Sequence, residues 1–153
     1  MYETRYLSIA ILDSRNRVLV TSEQYNVTVK PKVAVSIESF ILQEHKLMDE
    51  YNAALKQKLG VKSHNFRILD STTITKSLNG KIKKDIYLFV LKPKNKVTLR
   101  FDYYKTNPSL FLPIDTIRDY SRKGKFRLSS YAESTLNFIN ITDLEKDYTF
   151  EGY

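Results

Sequence analysis

The stretch of residues 39–59 constrains the fold more than any other part of this sequence. Its apolar residues recur at about 3.6-residue spacing, the repeat of an α-helix, and its charged residues lie between them. Ser39 is a residue type that caps helix N-termini, and Gly60 is a type that ends helices. The sequence therefore predicts an amphipathic helix over residues 39–59. Its apolar residues are Phe40, Leu47, Met48, Tyr51, Leu55 and Leu59.

Strand patterns precede this helix. Residues 6–12 and 17–20 are apolar stretches separated by the polar residues 13–16, which predicts a β-hairpin. Residues 27–29 and 33–37 alternate well but flank Pro31, which cannot donate a ladder hydrogen bond. We therefore expect this segment at a sheet edge or at a bulge.

Strand patterns also follow the helix. Residues 66–75 are rich in β-branched side chains, and Asn79-Gly80 is a hairpin turn sequence. Residues 86–91 are continuously apolar, which predicts a central strand covered on both faces. Residues 97–104 alternate as a half-buried strand would.

The remaining pattern completes one α+β domain. After the apolar segment 110–117 we expect a basic loop around Gly124 and a second helix from about residue 129 to 139. No repeat or linker divides the chain. The prediction is a single domain over residues 1–153, a mixed β-sheet packed between helices, with its core at about 6–139 and no element predicted for the tail at 140–153.

Composition excludes several kinds of site and of location. The chain has no cysteine, so it has no disulfide, no thiolate zinc site and no cysteine nucleophile. The apolar stretch 9–12 is too short to cross a bilayer, and an acid at position 3 is atypical of a signal peptide. We expect an intracellular, cytoplasmic protein that does not insert into a membrane.

The net charge points to a polyanion. Lysine and arginine number 25 against 17 acids, which gives a formal charge of +8. Aromatic residues lie among the basic ones, as in surfaces on which bases stack. We expect RNA, DNA or an acidic protein as partner, although lysine-rich hairpin tips also serve to keep sheet edges soluble. The predicted contact residues are Lys81, Lys83, Lys84, Lys92, Lys94, Lys96, Arg100, Arg122, Lys123, Lys125 and Arg127.

Two short segments carry a resemblance to a known family. Residues 53–61, Ala-Ala-Leu-Lys-Gln-Lys-Leu-Gly-Val, are similar to the end of the Nudix box, normally Arg-Glu-apolar-x-Glu-Glu-x-Gly-apolar. Residues 111–117, Phe-Leu-Pro-Ile-Asp-Thr-Ile, resemble a segment common late in these domains. The resemblance covers roughly residues 6–139 and implies a Nudix-like fold.

The departures from the family pattern bear on activity. In active members the box arginine orients glutamates that bind magnesium, whereas Ala53, Ala54, Gln57 and Lys58 stand at the matching positions here. A magnesium ion needs several oxygen ligands, and the lysine would repel it. We therefore expect a pseudoenzyme that acts as a binding or structural subunit, with no catalytic residue, no metal and no cofactor.

Two other functions stay open. A divergent nucleoside diphosphate hydrolase would draw its metal ligands from Glu44 or Glu50, and a nucleotide sensor would keep the cleft without cleaving. His45 and His64 lack a His or Cys partner at metal-binding spacing. The aromatic residues of the tail predict a docking segment: Tyr148, Phe150 and Tyr153.

Overall fold

The computed structural model describes residues 2–22, 32–41, 45–78, 80, 82–94, 109–129 and 131–141. Within these ranges the chain forms eight strands and three α-helices, and a short 3-10 helix at Ser63–Asn65. The strands are β1 (Tyr2–Ile11), β2 (Val18–Ser22), β3 (Lys32–Val35), β4 (Ile37–Ile41), β5 (Phe66–Leu78), β6 (Ile82–Pro93), β7 (Ser109–Leu112) and β8 (Arg127–Leu128). The helices are α1 (Leu47–Leu59), α2 (Ile114–Arg122) and α3 (Ala132–Ile141).

The strands form two four-stranded mixed sheets. The first sheet has the order β4-β1-β6-β5, in which β1 runs parallel to β6 and antiparallel to β4. β5 and β6 are an antiparallel hairpin, and Gly80 in its turn has a φ of 68°. The second sheet has the order β7-β2-β3-β8. This arrangement is an α+β fold, as predicted.

Ser36 lies where the chain leaves the second sheet at β3 and enters the first at β4. It is fully buried and has a φ of 71°, which is unusual for a residue with a side chain. Its Oγ accepts a hydrogen bond from the Ile11 backbone N–H and donates one to the Leu19 carbonyl, both at 2.8 Å. Thr21 Oγ1 donates to the Ser36 carbonyl at 2.7 Å. One serine therefore joins β1 and β2 where the two sheets meet.

Helices cover both faces of the first sheet. On one side, here called the α1 face, Leu7, Ile9 and Leu91 pack with Tyr51 and Leu55 of α1. The other side, here called the α3 face, packs against α3 and the second sheet. Its buried residues include Tyr6, Ala10, Leu88 and Val90 of the first sheet, Val18 and Val20 of β2, and Leu136 and Ile139 of α3. The two cores share β1 and β6, whose successive side chains point to opposite faces.

Several sequence predictions are confirmed. β6 is central, and Ile86 and residues 88–91 within it are buried. The turn at Gly80 joins β5 to β6 as expected. α1 ends at Gly60, which has a φ of 65° and donates its N–H to the Lys56 carbonyl at 3.0 Å.

The predicted helix start at Ser39 is wrong. α1 begins at Leu47, with Lys46 at its N-cap position, whereas Ser39 and Phe40 belong to β4. In β4 they pair with Leu7 and Tyr6 of β1. The pairing with β1 holds these residues in an extended conformation. The helical spacing of Phe40 is therefore a coincidence.

Four other predictions need correction. The segments at 6–12 and 17–20 meet in one antiparallel bridge, Leu12 to Val18, but their strands belong to different sheets. β3 is interior, because it pairs with both β2 and β8. Residues 118–122 of the predicted basic loop are helical, because α2 extends to Arg122, whereas a loop around Gly124 is present as predicted. The final helix begins at Ala132 rather than near 129.

Some predictions fall on residues outside the described ranges. They concern Pro31, Glu44, Lys81, the strand at 97–104 with Lys96 and Arg100, and the tail residues Tyr148, Phe150 and Tyr153. Among the described residues, no helix combines the length and the hydrophobicity needed to cross a membrane.

Candidate polyanion-binding surface

The positions of α1 that resemble the metal-binding part of the Nudix box carry no carboxylate. Ala54 is 7% exposed and belongs to the core of the α1 face. Ala53 and Lys58 are half-buried, and Gln57 is exposed. Hard divalent cations prefer anionic oxygen ligands, and neither a methyl group nor an ammonium supplies one. This part of α1 is therefore packing surface and solvated surface.

Glu50, the alternative ligand on α1, already has a partner. Its carboxylate is bonded to Nδ1 of His45, and Arg5 donates from Nη2 to the His45 carbonyl. Among the described residues, no group of three or more His, Asp or Glu side chains is placed to hold a metal ion. Glu50 and His45 thus connect the start of α1 to β1.

Tyr51 shows how apolar the α1 face is. It is 2% exposed, and its ring lies 4.9 Å from that of Phe89 between centroids. Burial raises the pKa of Tyr51 to about 12, because the charged phenolate is poorly solvated there.

An aromatic group lies at one end of the α3 face. Tyr6 stacks on Tyr131 with ring centroids 3.6 Å apart, and Phe40 meets Tyr6 edge-on at 4.9 Å. Lys84 Nζ lies 4.4 Å from the centroid of the Tyr131 ring. Phe40 is 65% exposed, whereas Tyr6 and Tyr131 are buried. We call Tyr6, Phe40, Lys84 and Tyr131 the aromatic cluster.

Polar contacts hold this cluster in place. The Glu38 carboxylate accepts hydrogen bonds from the Tyr6 hydroxyl, at 3.1 Å, and from the Ser129 hydroxyl. The Ser129 backbone N–H donates to the Val33 carbonyl at 2.8 Å. Because Ser129 precedes α3 and Glu38 lies on β4, these bonds fix the start of α3 against both sheets. The ring of Tyr6 and the start of α3 are therefore held in place.

Two further lysines lie at this end of the first sheet, Lys76 on the α3 face and Lys83 on the α1 face, because successive residues of a strand point to opposite faces. Lys76 of β5 is exposed and lies directly opposite Lys84 of β6. Lys83 is partly exposed and lies 3.9 Å from Asp85, whose carboxylate also accepts from Thr75 Oγ1 at 2.7 Å. Like charges on opposite positions of neighbouring strands repel each other. An anion beside Lys76 and Lys84 would relieve that repulsion.

The C-terminal end of β6 carries Lys92, the first lysine of the second predicted basic segment. The two predicted basic segments do lie at opposite ends of this strand, about 30 Å apart at about 3.3 Å per residue. Lys92, however, is 1% exposed, and its Nζ donates to Asn16 Oδ1 at 3.1 Å. A side chain this buried cannot reach a phosphate, so the structure removes Lys92 from the predicted contact residues. Lys94 stays exposed.

The third basic segment surrounds the end of α2. Arg122, Lys123, Lys125 and Arg127 are all exposed. Lys123 pairs with Asp119 at 3.0 Å, and Lys125 Nζ lies 4.4 Å from the ring centroid of Tyr120. These four cations lie at the end of α2 or between α2 and Ser129 in the chain, and the contacts of Lys123 and Lys125 are with residues of α2.

Arg118 has a structural role beside them. It donates to Glu133 and to Asn137 of α3, each at 2.9 Å. These bonds fix α2 to α3, because both acceptors lie on successive turns of the same helix.

Sequence reasoning missed four of these residues. Tyr6, Phe40 and Tyr131 are far apart in the chain, and no spacing connects them. Only the pairing of β1 with β4 and the docking of α3 bring them together. Lys76 lies in a Ser- and Thr-rich stretch, and its proximity to Lys84 follows only from the β5–β6 register.

Comparisons with known proteins agree on the fold. No protein-family model matches the chain, and no curated protein matches it. An Ap4A hydrolase from C. elegans, solved as a binary complex, is 8% identical, with a TM-score of 0.59 over 90% of this chain and 95% of that one. A MutT protein from Methanosarcina mazei Go1 is 11% identical, with a TM-score of 0.57 over 91% and 94%. An ADP compounds hydrolase is 15% identical, with a TM-score of 0.56 over 93% and 74%. The chain therefore has a Nudix-like fold.

Proposed function

We propose that this chain is a non-catalytic Nudix-like binding domain that contacts single-stranded nucleic acid through the aromatic cluster and the cations around it. The observation that carries the proposal is Lys84 over Tyr131, stacked on Tyr6, beside the exposed ring of Phe40. Sequence-tolerant binding of single strands combines aromatic rings that stack on bases with cations that follow the phosphates.

Each part of the cluster has a distinct task in this proposal. Phe40 presents an accessible ring on which an unpaired base stacks. Lys76 and Lys84, which lie opposite each other on the α3 face, neutralise the phosphates on either side of that base. The buried Tyr6 and Tyr131 support Phe40 and Lys84 without touching the ligand.

The composition of α1 supports a function without hydrolysis. Metal-assisted attack on a phosphoanhydride needs a bound divalent cation. At the four positions that resemble the box, the described side chains are two methyl groups, an amide and an ammonium. Loss of these ligands leaves the fold free to serve as a binding module.

The binding test compares the two ends of β6. We expect Phe40→Ala and Lys84→Glu each to weaken binding of a fluorescent single-stranded RNA by about tenfold. Lys84→Glu should also lower the slope of log affinity against log salt by about one. Lys94→Glu, at the distant end of the same strand, tests the sequence prediction that Lys94 is also a contact residue. Because this proposal places the contact at the aromatic cluster, Lys94→Glu should change affinity less than about twofold. Absence of salt-sensitive binding, or equal effects of the two charge reversals, would contradict the proposal.

The competing function is a divergent nucleoside diphosphate hydrolase, because proteins named as hydrolases share the fold. Magnesium titration with a panel of nucleoside diphosphates decides between them. We expect no turnover. Turnover that Glu50→Gln abolishes and the neighbouring Asp49→Asn retains would establish the hydrolase instead. Thermal stabilisation by a free nucleotide with no product would favour the nucleotide sensor.

A further inference from the structure

β5 is a long edge of the first sheet. It has 13 residues, and among the described residues it pairs with β6 alone. Residues 71–73 and 75–77 are exposed, and so is Ile68 at 46%. An edge strand presents a row of backbone N–H and C=O groups on its outer side, which can pair with another strand.

The usual protections of an edge are weak in β5. The strand contains no proline, and its register with β6 shifts only between Ile68 and Asp70. From Asp70 to Leu78 the pairing with β6 is regular. The charged residues of this regular stretch are Asp70 at its start and Lys76 near its end. Opposite charges at the two ends of a strand favour antiparallel pairing with a copy of itself.

We propose that β5 pairs antiparallel with β5 of a second copy of this chain, with the twofold axis at Thr73. Asp70 and Lys76 each lie three residues from Thr73, so each Asp70 stands directly opposite Lys76 of the other copy. Residues opposite each other in an antiparallel pair share a face of the sheet. Asp70 and Lys76 meet this condition because they are six positions apart, and an even separation along a strand places two side chains on the same face. The four strands of each first sheet then join into one continuous sheet.

This register also resolves a local conflict of charge. Within one copy, Lys76 of β5 lies opposite Lys84 of β6. Pairing between copies places Asp70 of the second copy on the other side of Lys76, in the same row across the sheet. The hydroxyls of Ser71 and Thr75 stand opposite each other in this register.

A cysteine at the twofold axis tests the register directly. The chain has no cysteine of its own, so a single introduced thiol is unique. Thr73→Cys places two thiols opposite each other with Cα atoms about 4.5–5.5 Å apart, which a disulfide can span. Ser71→Cys is the matched control on the same face, and its thiols would lie about 13 Å apart along the strands. We expect mild oxidation to give a covalent dimer from Thr73→Cys alone. Equal cross-linking of the two variants, or none from Thr73→Cys, would overturn the proposal.

Charge exchange provides an independent test in solution. We expect Asp70→Lys and Lys76→Asp each to weaken dimerisation by about tenfold in sedimentation velocity, because each reverses two symmetry-related pairs. The double variant restores complementary charges and should recover most of the parent affinity. Within one copy, Lys76→Asp replaces the repulsion between residues 76 and 84 by an attraction, because it places a carboxylate opposite Lys84. We therefore expect the Tm of this variant not to fall, although its dimerisation is weaker. A parent that stays monomeric at high micromolar concentration, or a double variant weaker than both single ones, would contradict the proposal.

Discussion

The two faces of the first sheet are made from alternate residues of the same strands, yet they differ in chemistry. On the α1 face the described contacts with α1 are made by apolar residues and by Tyr51, whose burial raises its pKa to about 12. On the α3 face, Ser8 is bonded to Thr135 at 2.8 Å, and Glu38 accepts from two hydroxyls. The α1 face is thus an apolar core, whereas the α3 face includes hydrogen-bonded polar groups.

The difference between the two faces shows that the fold of this chain and the chemistry of its side chains are separate properties. The resemblance to Nudix domains implies a metal site on α1, but in this chain that helix supplies a core alanine, Ala54. The exposed ring of Phe40 and the ammonium of Lys84 lie instead at the α3 face. A fold shared with hydrolases therefore does not determine which face carries function, because function depends on the side chains placed on the fold.

The largest expected effect comes from placing a charged group in the apolar core of the α1 face. Ala54→Glu places a carboxylate among buried apolar side chains and should lower the free energy of unfolding by about 3 kcal/mol. Gln57→Glu, on the exposed side of the same helix, should change it by less than about 0.5 kcal/mol. Urea denaturation with and without magnesium measures both variants. An Ala54→Glu protein as stable as the parent without magnesium would show that position 54 is not closed to water. Stabilisation of this variant by magnesium would show that a carboxylate at position 54 completes a metal site on α1.

A smaller effect is expected from removing the polar brace of the α3 face. Glu38→Ala leaves the hydroxyls of Tyr6 and Ser129 without this acceptor and should cost about 2 kcal/mol by the same measurement. Glu133→Ala, which removes the exposed ion pair with Arg118, should cost less than about 1 kcal/mol. Equal losses for the two variants would mean that the brace adds no more than a surface ion pair.

The smallest expected effect is on the pH dependence of stability, to which the buried Tyr51 of the α1 face contributes. Unfolded tyrosine has a pKa near 10, and burial raises that of Tyr51 to about 12, so the folded protein keeps a proton that the unfolded chain loses. The stabilising contribution is complete below about pH 10 and falls by about 1 kcal/mol by pH 11. Tyr51→Phe should lose less stability between pH 9 and about 11 than the parent. A Tyr120→Phe variant, whose ring is only half-buried, serves as the control and should follow the parent.

The sequence predicted features that depend on local chemistry. Gly60 ends α1 because a left-handed residue is needed there, and the continuous apolar run at 86–91 requires cover on both faces. Both follow from the chain itself. The start of α1 did not follow, because Ser39 and Phe40 are held in β4 by pairing with β1, and this pairing is not visible in their own neighbourhood.

The candidate site was predicted only in part, for the same reason. Lys83 and Lys84 were found because lysines cluster in the sequence, and Lys92 was grouped with them although Asn16 holds it in the interior. α2 was mistaken for a loop because one buried residue, Ile117, is too weak a signal of an amphipathic helix. Charge can be counted from sequence, but exposure depends on contacts between distant residues.

Ser36 also limits how the chain can change in length. The Ser36 hydroxyl bonds to the backbone of both Ile11 and Leu19. The chain between β3 and β4 must therefore place Ser36 at the junction of the two sheets. Adding or deleting a residue in β4 ahead of Glu38 would exchange the side chains of its two faces, and Phe40 would point toward the α1 core instead of toward Tyr6. The length of the chain between β3 and β4 is therefore constrained by a single hydroxyl group.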